Sequence, residues 1–231
     1  MKQFVDTPPE PSAVLFDLDG TLVDTAPDMV EVLSDMRKSR GVEPVAFNVA
    51  RAYVSNGAIG LLRLGFPDSL PGPFDRLHNE YLERYSNLLC VRSALFPELA
   101  QLLDELDRLE RPWGVVTNKP KRLTEPLMQA LGLMSRAASV VSGDTLPQKK
   151  PDPAPLLYAA RQIGLDPSRC VYIGDAARDI QAGRAAGMYT IAVRYGYIVP
   201  DDDISTWGAD RIVADPAELA QSLLKAGNLV D

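Results

Sequence analysis

The sequence predicts an α/β fold: a parallel sheet covered by helices on both faces, interrupted by an all-helical insertion. Three observations lead there. Short apolar, strand-like runs recur along the chain. Helical patterns lie between most of them, which implies parallel pairing through right-handed crossovers. From about Thr25 to Val91 the alternation stops and only helical patterns are found.

In chain order, Ala13 to Phe16 is the first expected strand and ends at an aspartate. Within the insertion, Met29, Val32, Leu33 and Met36 form one helical stripe, and Phe74, Leu77, Tyr81, Tyr85 and Leu88 form another. Asn56-Gly57 interrupts what read as two further helices, and the proline-rich stretch Phe66 to Pro73 reads as a loop. After the insertion, Leu99, Leu102, Leu103, Leu106 and Leu109 stand at helical spacing. Expected strands then follow at Trp113 to Thr117, Ser139 to Ser142, Val171 to Gly174, Thr190 to Val193 and Arg211 to Val213. The helices between them are expected over Lys121 to Leu131, Pro153 to Ile163 and Arg178 to Ala186, stopping at Gly132, Gly164 and Gly187. This divides the chain into an α/β core, residues 1–24 and 93–231, and a helical domain, residues 25–92.

The 231 residues suffice for a sizeable core, and 46% hydrophobic with 24% charged content is ordinary for a globular protein. Lys and Arg number 24 against 31 Asp and Glu, a net charge of −7 with no basic patch, which argues against nucleic acid as a partner. The start, MKQFVDTPPEPS, lacks the apolar run of an export signal, and no apolar segment approaches bilayer-spanning length. A cytoplasmic protein with Cys90 and Cys170 as reduced, buried thiols is therefore expected.

The chemistry concentrates in four segments. In Asp17-Leu18-Asp19-Gly20-Thr21, residues i and i+2 of an extended chain point to one side, so both carboxylates can face one pocket. Like charges that close are costly unless a cation, a proton or a substrate occupies the site. VVTNKP ends a strand in Thr117-Asn118, a hydroxyl and amides suited to binding phosphate. QKKPDP offers a positive charge at Lys149 or Lys150. VYIGDAARD runs a strand into Asp175, with Asp179 one helical turn later. Together these residues suit a hard, oxygen-liganded cation and a phosphoryl group.

The four segments, in this order, resemble the four motifs of the haloacid dehalogenase superfamily, phosphatase branch, and the helical insertion resembles that family's first type of cap. The resemblance implies a Rossmann-like parallel-sheet core with an all-helical cap domain, and a phosphomonoester hydrolase working through an aspartyl-phosphate. It implies that Asp17 is the nucleophile and Asp19 the acid/base. Thr117 is then the phosphate-binding hydroxyl, and Lys150, directly before Pro151, the charge-balancing lysine, with Lys149 exposed. Asp175, the Asp17 carboxylate and the Asp19 backbone carbonyl would hold Mg²⁺, with Asp179 behind them. An all-oxygen set without Cys or His favours Mg²⁺ over Zn²⁺.

The cap loop Ser55-Asn56-Gly57, with Asn118, is expected to meet the substrate, a small phosphorylated metabolite, in a protein that is a monomer or homodimer. This loop, TNKP and Tyr195 to Tyr197 resemble phosphoglycolate phosphatases, which points to 2-phosphoglycolate. AVRYGYIVPDD followed by WGAD is also similar to phosphatases of N-acetylmuramic acid 6-phosphate, the alternative substrate, with other sugar phosphates behind it. A sugar phosphomutase and a catalytically silent binding module are further alternatives; a haloalkanoate dehalogenase would need neither Asp19 nor the metal site. His78 is expected at the surface or in packing, and Asp201 to Asp203 in a solvated loop.

Overall fold

The structure, a computed structural model, describes residues 11–68 and 71–224. The export-signal reading of the amino-terminal stretch falls mainly on residues 1–10, outside the described residues.

The elements in chain order are β1 (Ala13–Phe16), β2 (Val23–Asp24), α1 (Ala26–Lys38), α2 (Phe47–Arg51), α3 (Gly57–Gly65), α4 (Pro71–Asn87) and β3 (Ala94–Leu95). There follow α5 (Leu99–Arg108), β4 (Trp113–Val116), α6 (Lys121–Ala130), β5 (Ser139–Val141), α7 (Ala154–Ile163) and β6 (Cys170–Gly174). The last are α8 (Ala177–Ala185), β7 (Tyr189–Val193), β8 (Arg211–Val213) and α9 (Pro216–Leu224). A six-stranded parallel sheet has the order β5-β4-β1-β6-β7-β8. From β1 the chain builds outward through β4 and β5, then returns to place β6 on the other side of β1, so the order reverses there. Loops at the carboxyl ends of β4, β1 and β6 diverge around this switch point and leave a crevice.

β1 shows why these strands read as unbroken apolar runs. Val14 and Phe16 join the core against α5, α6 and α9, whereas Ala13 and Leu15 face the opposite core with α7 and α8. Side chains alternate faces along a strand, and because both faces are covered, neither set can be polar.

Between β2 and β3 the described residues form helices and turns only. Met29, Val32, Leu33 and Met36 of α1 are buried against Leu77, Tyr81 and Tyr85 of α4, and Tyr81 donates to the Met29 carbonyl at 2.8 Å. β2 and β3 pair antiparallel where the chain leaves and re-enters the sheet layer, two short strands that sequence periodicity does not reveal. Two expectations need correcting. The Phe66 to Pro73 stretch is not all loop, because α4 begins at Pro71; prolines are tolerated in a first turn, whose N–H groups have no helical partner. Leu109 is 43% exposed, because α5 ends at Arg108 and Glu110 turns the backbone to a left-handed φ of 51°.

Both cysteines are free thiols: Cys170 is buried, which pushes its pKa up to about 11, while Cys90 is only half-buried. Among the described residues no helix is long and apolar enough to cross a membrane.

Candidate active site

Three neighbouring strands deliver their carboxyl ends to one crevice: β1 ends at Asp17, β4 at Thr117 and β6 at Asp175. The Asp17 N–H donates to the Ile173 carbonyl at 2.8 Å, so the β1 ladder runs up to the carboxylate it presents. Asp17, Asp175 and Asp179 are buried, and each offers a carboxylate oxygen within 4.8 Å of the others.

One buried cation stands among these three acids. Lys150 Nζ lies 2.7 Å from Asp17 Oδ1 and 2.7 Å from Asp179 Oδ1, and also donates to the Val116 carbonyl and the Tyr172 hydroxyl. Burial works against the Lys150 charge, but Asp17 and Asp179 outweigh it and hold its pKa above the usual lysine value. Lys149 is exposed, as expected. The Asp179 side chain also accepts from the Ala176 N–H at 3.1 Å, which fixes the start of α8.

Negative charge remains in excess, and the shifts show it. Burial raises the Asp17 pKa against the opposing pull of Lys150. Asp175 is pushed up to about 7 by burial, then by Asp17 and Asp179, with bonds from Ser55 and the Tyr197 amide opposing. Asp175 Oδ2 accepts those two bonds, at 2.6 and 2.8 Å, whereas Oδ1 is buried with no hydrogen-bond partner among the described residues. Such an orphaned oxygen beside two more carboxylates fits a hard divalent cation: every donor is oxygen, and a dication would relieve the repulsion that otherwise retains a proton. Gly20 is required beside it. Its φ is 84°, and a Cβ there would collide with Asp175 Oδ2 and the Tyr197 ring.

Asp19 stands apart from this cluster. Thr25 Oγ1 and Lys119 Nζ both donate to its Oδ1, at 2.7 and 2.9 Å, while Oδ2 has no hydrogen-bond partner among the described residues. Lys119 also reaches the Tyr85 hydroxyl at 2.9 Å. Burial disfavours its charge, but Asp19 and Tyr85 raise its pKa overall. Lys119 is a site residue that sequence reasoning missed. Its signal was present in TNKP, two places after Thr117.

Thr117 is buried, lines the crevice, and its hydroxyl accepts from the Lys119 N–H at 3.1 Å. Asn118 lines the crevice too, but its side chain is spent elsewhere: Nδ2 donates to the Lys150 carbonyl at 2.9 Å and Oδ1 accepts the Lys150 N–H at 3.1 Å. Where substrate contact was expected, the amide clamps the backbone that carries Lys150.

The crevice opens into a cavity of about 420 Å³ between the strand ends and the insertion. Ser55, Asn56 and Gly57 line it, and Gly57 adopts a left-handed φ of 65° where a short 3₁₀ turn passes into α3. The Ser55 hydroxyl, however, is engaged by Asp175. Met29, Val54, Tyr81, Leu82 and Leu123 make an apolar wall, and His78, expected at the surface or in packing, is a half-buried lining residue. Arg178, the residue before Asp179 in GDAARD, also lines the cavity and was missed in sequence reading. The insertion is tied to the core at a second place. Arg51 donates to the Tyr195 and Gly196 carbonyls, each at 3.1 Å, and lies over the Tyr197 ring, 4.8 Å from its centroid.

The chain is similar to known proteins over most of its length. Over 208 residues the chain is 46% identical to the N-acetylmuramic acid 6-phosphate phosphatase of Pseudomonas putida, covering 90% of this chain and 93% of that protein. Over 209 residues it is 42% identical to the phosphoglycolate phosphatase of Xanthomonas campestris pv. campestris, covering 90% and 95%. The crystal structure of a predicted phosphoglycolate phosphatase from Haemophilus somnus superposes with a TM-score of 0.81 at 28% identity, covering 92% of this chain and 97% of that one. The model of the haloacid dehalogenase-like hydrolases matches residues 14–193, from the first sheet strand through β7 and across every segment that lines the crevice. The chain belongs to the haloacid dehalogenase-like hydrolase family.

Proposed function

We propose that the protein is a Mg²⁺-dependent phosphomonoester hydrolase in which Asp17 takes the phosphoryl group. One observation carries this reading: the Asp17 carboxylate is buried at the end of β1, with Lys150 Nζ 2.7 Å from one oxygen and Asp175 and Asp179 alongside. A buried carboxylate so placed is shielded from bulk water, and the anion it attacks meets a ready positive charge.

In this reading an Asp17 oxygen attacks phosphorus and the bond to the leaving alcohol breaks, with the alcohol oxygen taking a proton from Asp19. Water then returns a proton to Asp19 as its oxygen attacks phosphorus, releasing phosphate and regenerating the Asp17 carboxylate. Lys119 and Thr25 hold Asp19 through Oδ1, which leaves Oδ2 to carry the proton. Lys150 and the Thr117 hydroxyl receive phosphoryl oxygens. Asp17, Asp175 and the Asp19 carbonyl would hold Mg²⁺, with Asp179 supporting them; when bound, the ion offsets charge on the phosphoryl oxygens.

The division into a core, residues 1–24 and 93–231, and a cap, residues 25–92, belongs to the same proposal. It is supported by the β2–β3 pair at the two crossings and by the purely helical and turn structure of the described residues between them. Ser55, Asn56 and Gly57 would then bring cap backbone to the leaving group.

For the substrate, the loop and TNKP motifs support 2-phosphoglycolate, the molecule in the name of the Xanthomonas relative. A second reading, N-acetylmuramic acid 6-phosphate, is favoured by the cavity: about 420 Å³ with an apolar wall is the size that receives a ligand larger than a two-carbon acid. Side-by-side kcat/KM values for the two esters and several sugar phosphates decide between them. EDTA should abolish turnover and Mg²⁺ restore it; metal-independent hydrolysis would refute the assignment.

A further inference from the structure

The cations that line the cavity are not equivalent. Lys150 and Lys119 are each surrounded by protein oxygens, and Lys149, the third lysine of the lining, is exposed to solvent, which screens its charge. Arg178, the second residue of α8, is different. Its Nη2 donates to the Ser55 carbonyl at 2.6 Å, and that is its one hydrogen bond among the described residues. It forms no ion pair within 4.0 Å among them either, although the side chain is half-buried and lines the cavity. A guanidinium presents five N–H groups in a planar fork that matches a carboxylate edge to edge. Four of those donors therefore have no acceptor among the described residues.

The bond to Ser55 also says where the guanidinium stands. Ser55 begins the 55–57 loop, the wall that faces the leaving group once phosphorus is seated at Asp17 with Thr117 and Lys150. An anion met there lies on the alcohol side of the ester. The two relatives described above are named for esters of very different size, yet 2-phosphoglycolate and N-acetylmuramic acid 6-phosphate share one further group, a carboxylate on the alcohol. In a chain of net charge −7, a substrate bearing that extra charge needs a local cation.

We propose that Arg178 is the receptor for a carboxylate on the leaving alcohol, so that the enzyme selects phosphomonoesters of hydroxy acids. The assignment rests on the phosphatase reading of Asp17 and makes Arg178 its specificity-determining residue. Charge-assisted, two-pronged pairing in a partly desolvated cavity would make the acid strongly preferred over its uncharged counterpart.

The test uses full-length protein with Mg²⁺ and two matched pairs: 2-phosphoglycolate against its amide, and N-acetylmuramic acid 6-phosphate against N-acetylglucosamine 6-phosphate. In at least one pair the wild type should favour the acid in kcat/KM by about 10²-fold. In Arg178→Gln that ratio should fall towards one, and Arg178→Lys, which keeps the charge without the fork, should fall between. The ratio is taken within one preparation, so any unfolded fraction cancels. A wild type without preference for either acid, or a ratio that survives in both variants, would overturn the proposal. In either event turnover of p-nitrophenyl phosphate by the wild type shows that the phosphatase reading itself stands, and its absence shows that this reading has failed as well.

Discussion

Ser55 Oγ donates to Asp175 Oδ2 across 2.6 Å, joining the helical insertion to the buried carboxylate at the end of β6. The bond lowers the Asp175 pKa against burial and two neighbouring acids. In Ser55→Ala that pKa should climb further, so protons compete better with Mg²⁺. The half-saturating Mg²⁺ concentration should rise, more at pH 6.5 than at pH 8. Loss of a hydrogen bond to a charged group should lower kcat/KM by about 10-fold. Metal titrations of turnover at the two pH values check both effects; an equal change at each would separate Ser55 from the ionisation of Asp175.

Asp17→Asn should remove turnover, by about 10⁴-fold or more, because the covalent step has no substitute nucleophile. The fold should persist. Lys150 keeps Asp179, the Val116 carbonyl and the Tyr172 hydroxyl as partners, and one of three crowded acids is gone. Phosphate release and thermal melting measure the two outcomes. Full turnover in a folded variant is incompatible with the proposed mechanism.

Lys119→Met should act through Asp19. Without the ammonium 2.9 Å away, the Asp19 carboxylate loses one of the two groups that fix its orientation. Leaving-group protonation contributes about 10²-fold or more, so alkyl phosphates should lose roughly that factor in kcat. p-Nitrophenyl phosphate, whose leaving group needs little protonation, should lose much less. A uniform loss across leaving groups would place Lys119 in general packing instead.

Asp175 also sets a pH dependence of stability. Its folded pKa, about 7, lies above the ordinary 3.8, so between these values the folded state holds a proton that the unfolded state releases. Stability from this group is full below about pH 4, falls as pH rises, and is lost above about 7. Metal-free protein should therefore melt lower at pH 8 than at pH 5.5, with a smaller difference in Asp175→Asn. Mg²⁺ should restore more stability at pH 8, where the ligand is already ionised. Calorimetry with and without EDTA measures these differences, and identical slopes in both proteins would count against the Asp175 shift.

What could be read from residues alone was what local pattern encodes. Ala13–Phe16 and most of Cys170–Gly174 were legible as strands because a strand covered on both faces must be apolar throughout. The acids at Asp17 and Asp175 were legible because carboxylates directly after such runs stand at strand ends. α4 was partly hidden, since its opening prolines read as a loop while its stripe of Leu77, Tyr81 and Tyr85 read as a helix.

Fold class, family and the set of charged groups follow from the residues in order, because strand and helix periodicity and motif order are local properties of the chain. How those groups pair is set by packing in three dimensions. Asn118 turned out to hold the Lys150 backbone, Lys119 to hold Asp19, Ser55 to hold Asp175, and Arg178 to keep most of its donors without a partner among the described residues. Each polar group in a crowded, largely dry crevice takes the partner that desolvation and distance leave available, and that choice spans up to 123 residues of chain, for Arg178 and Ser55.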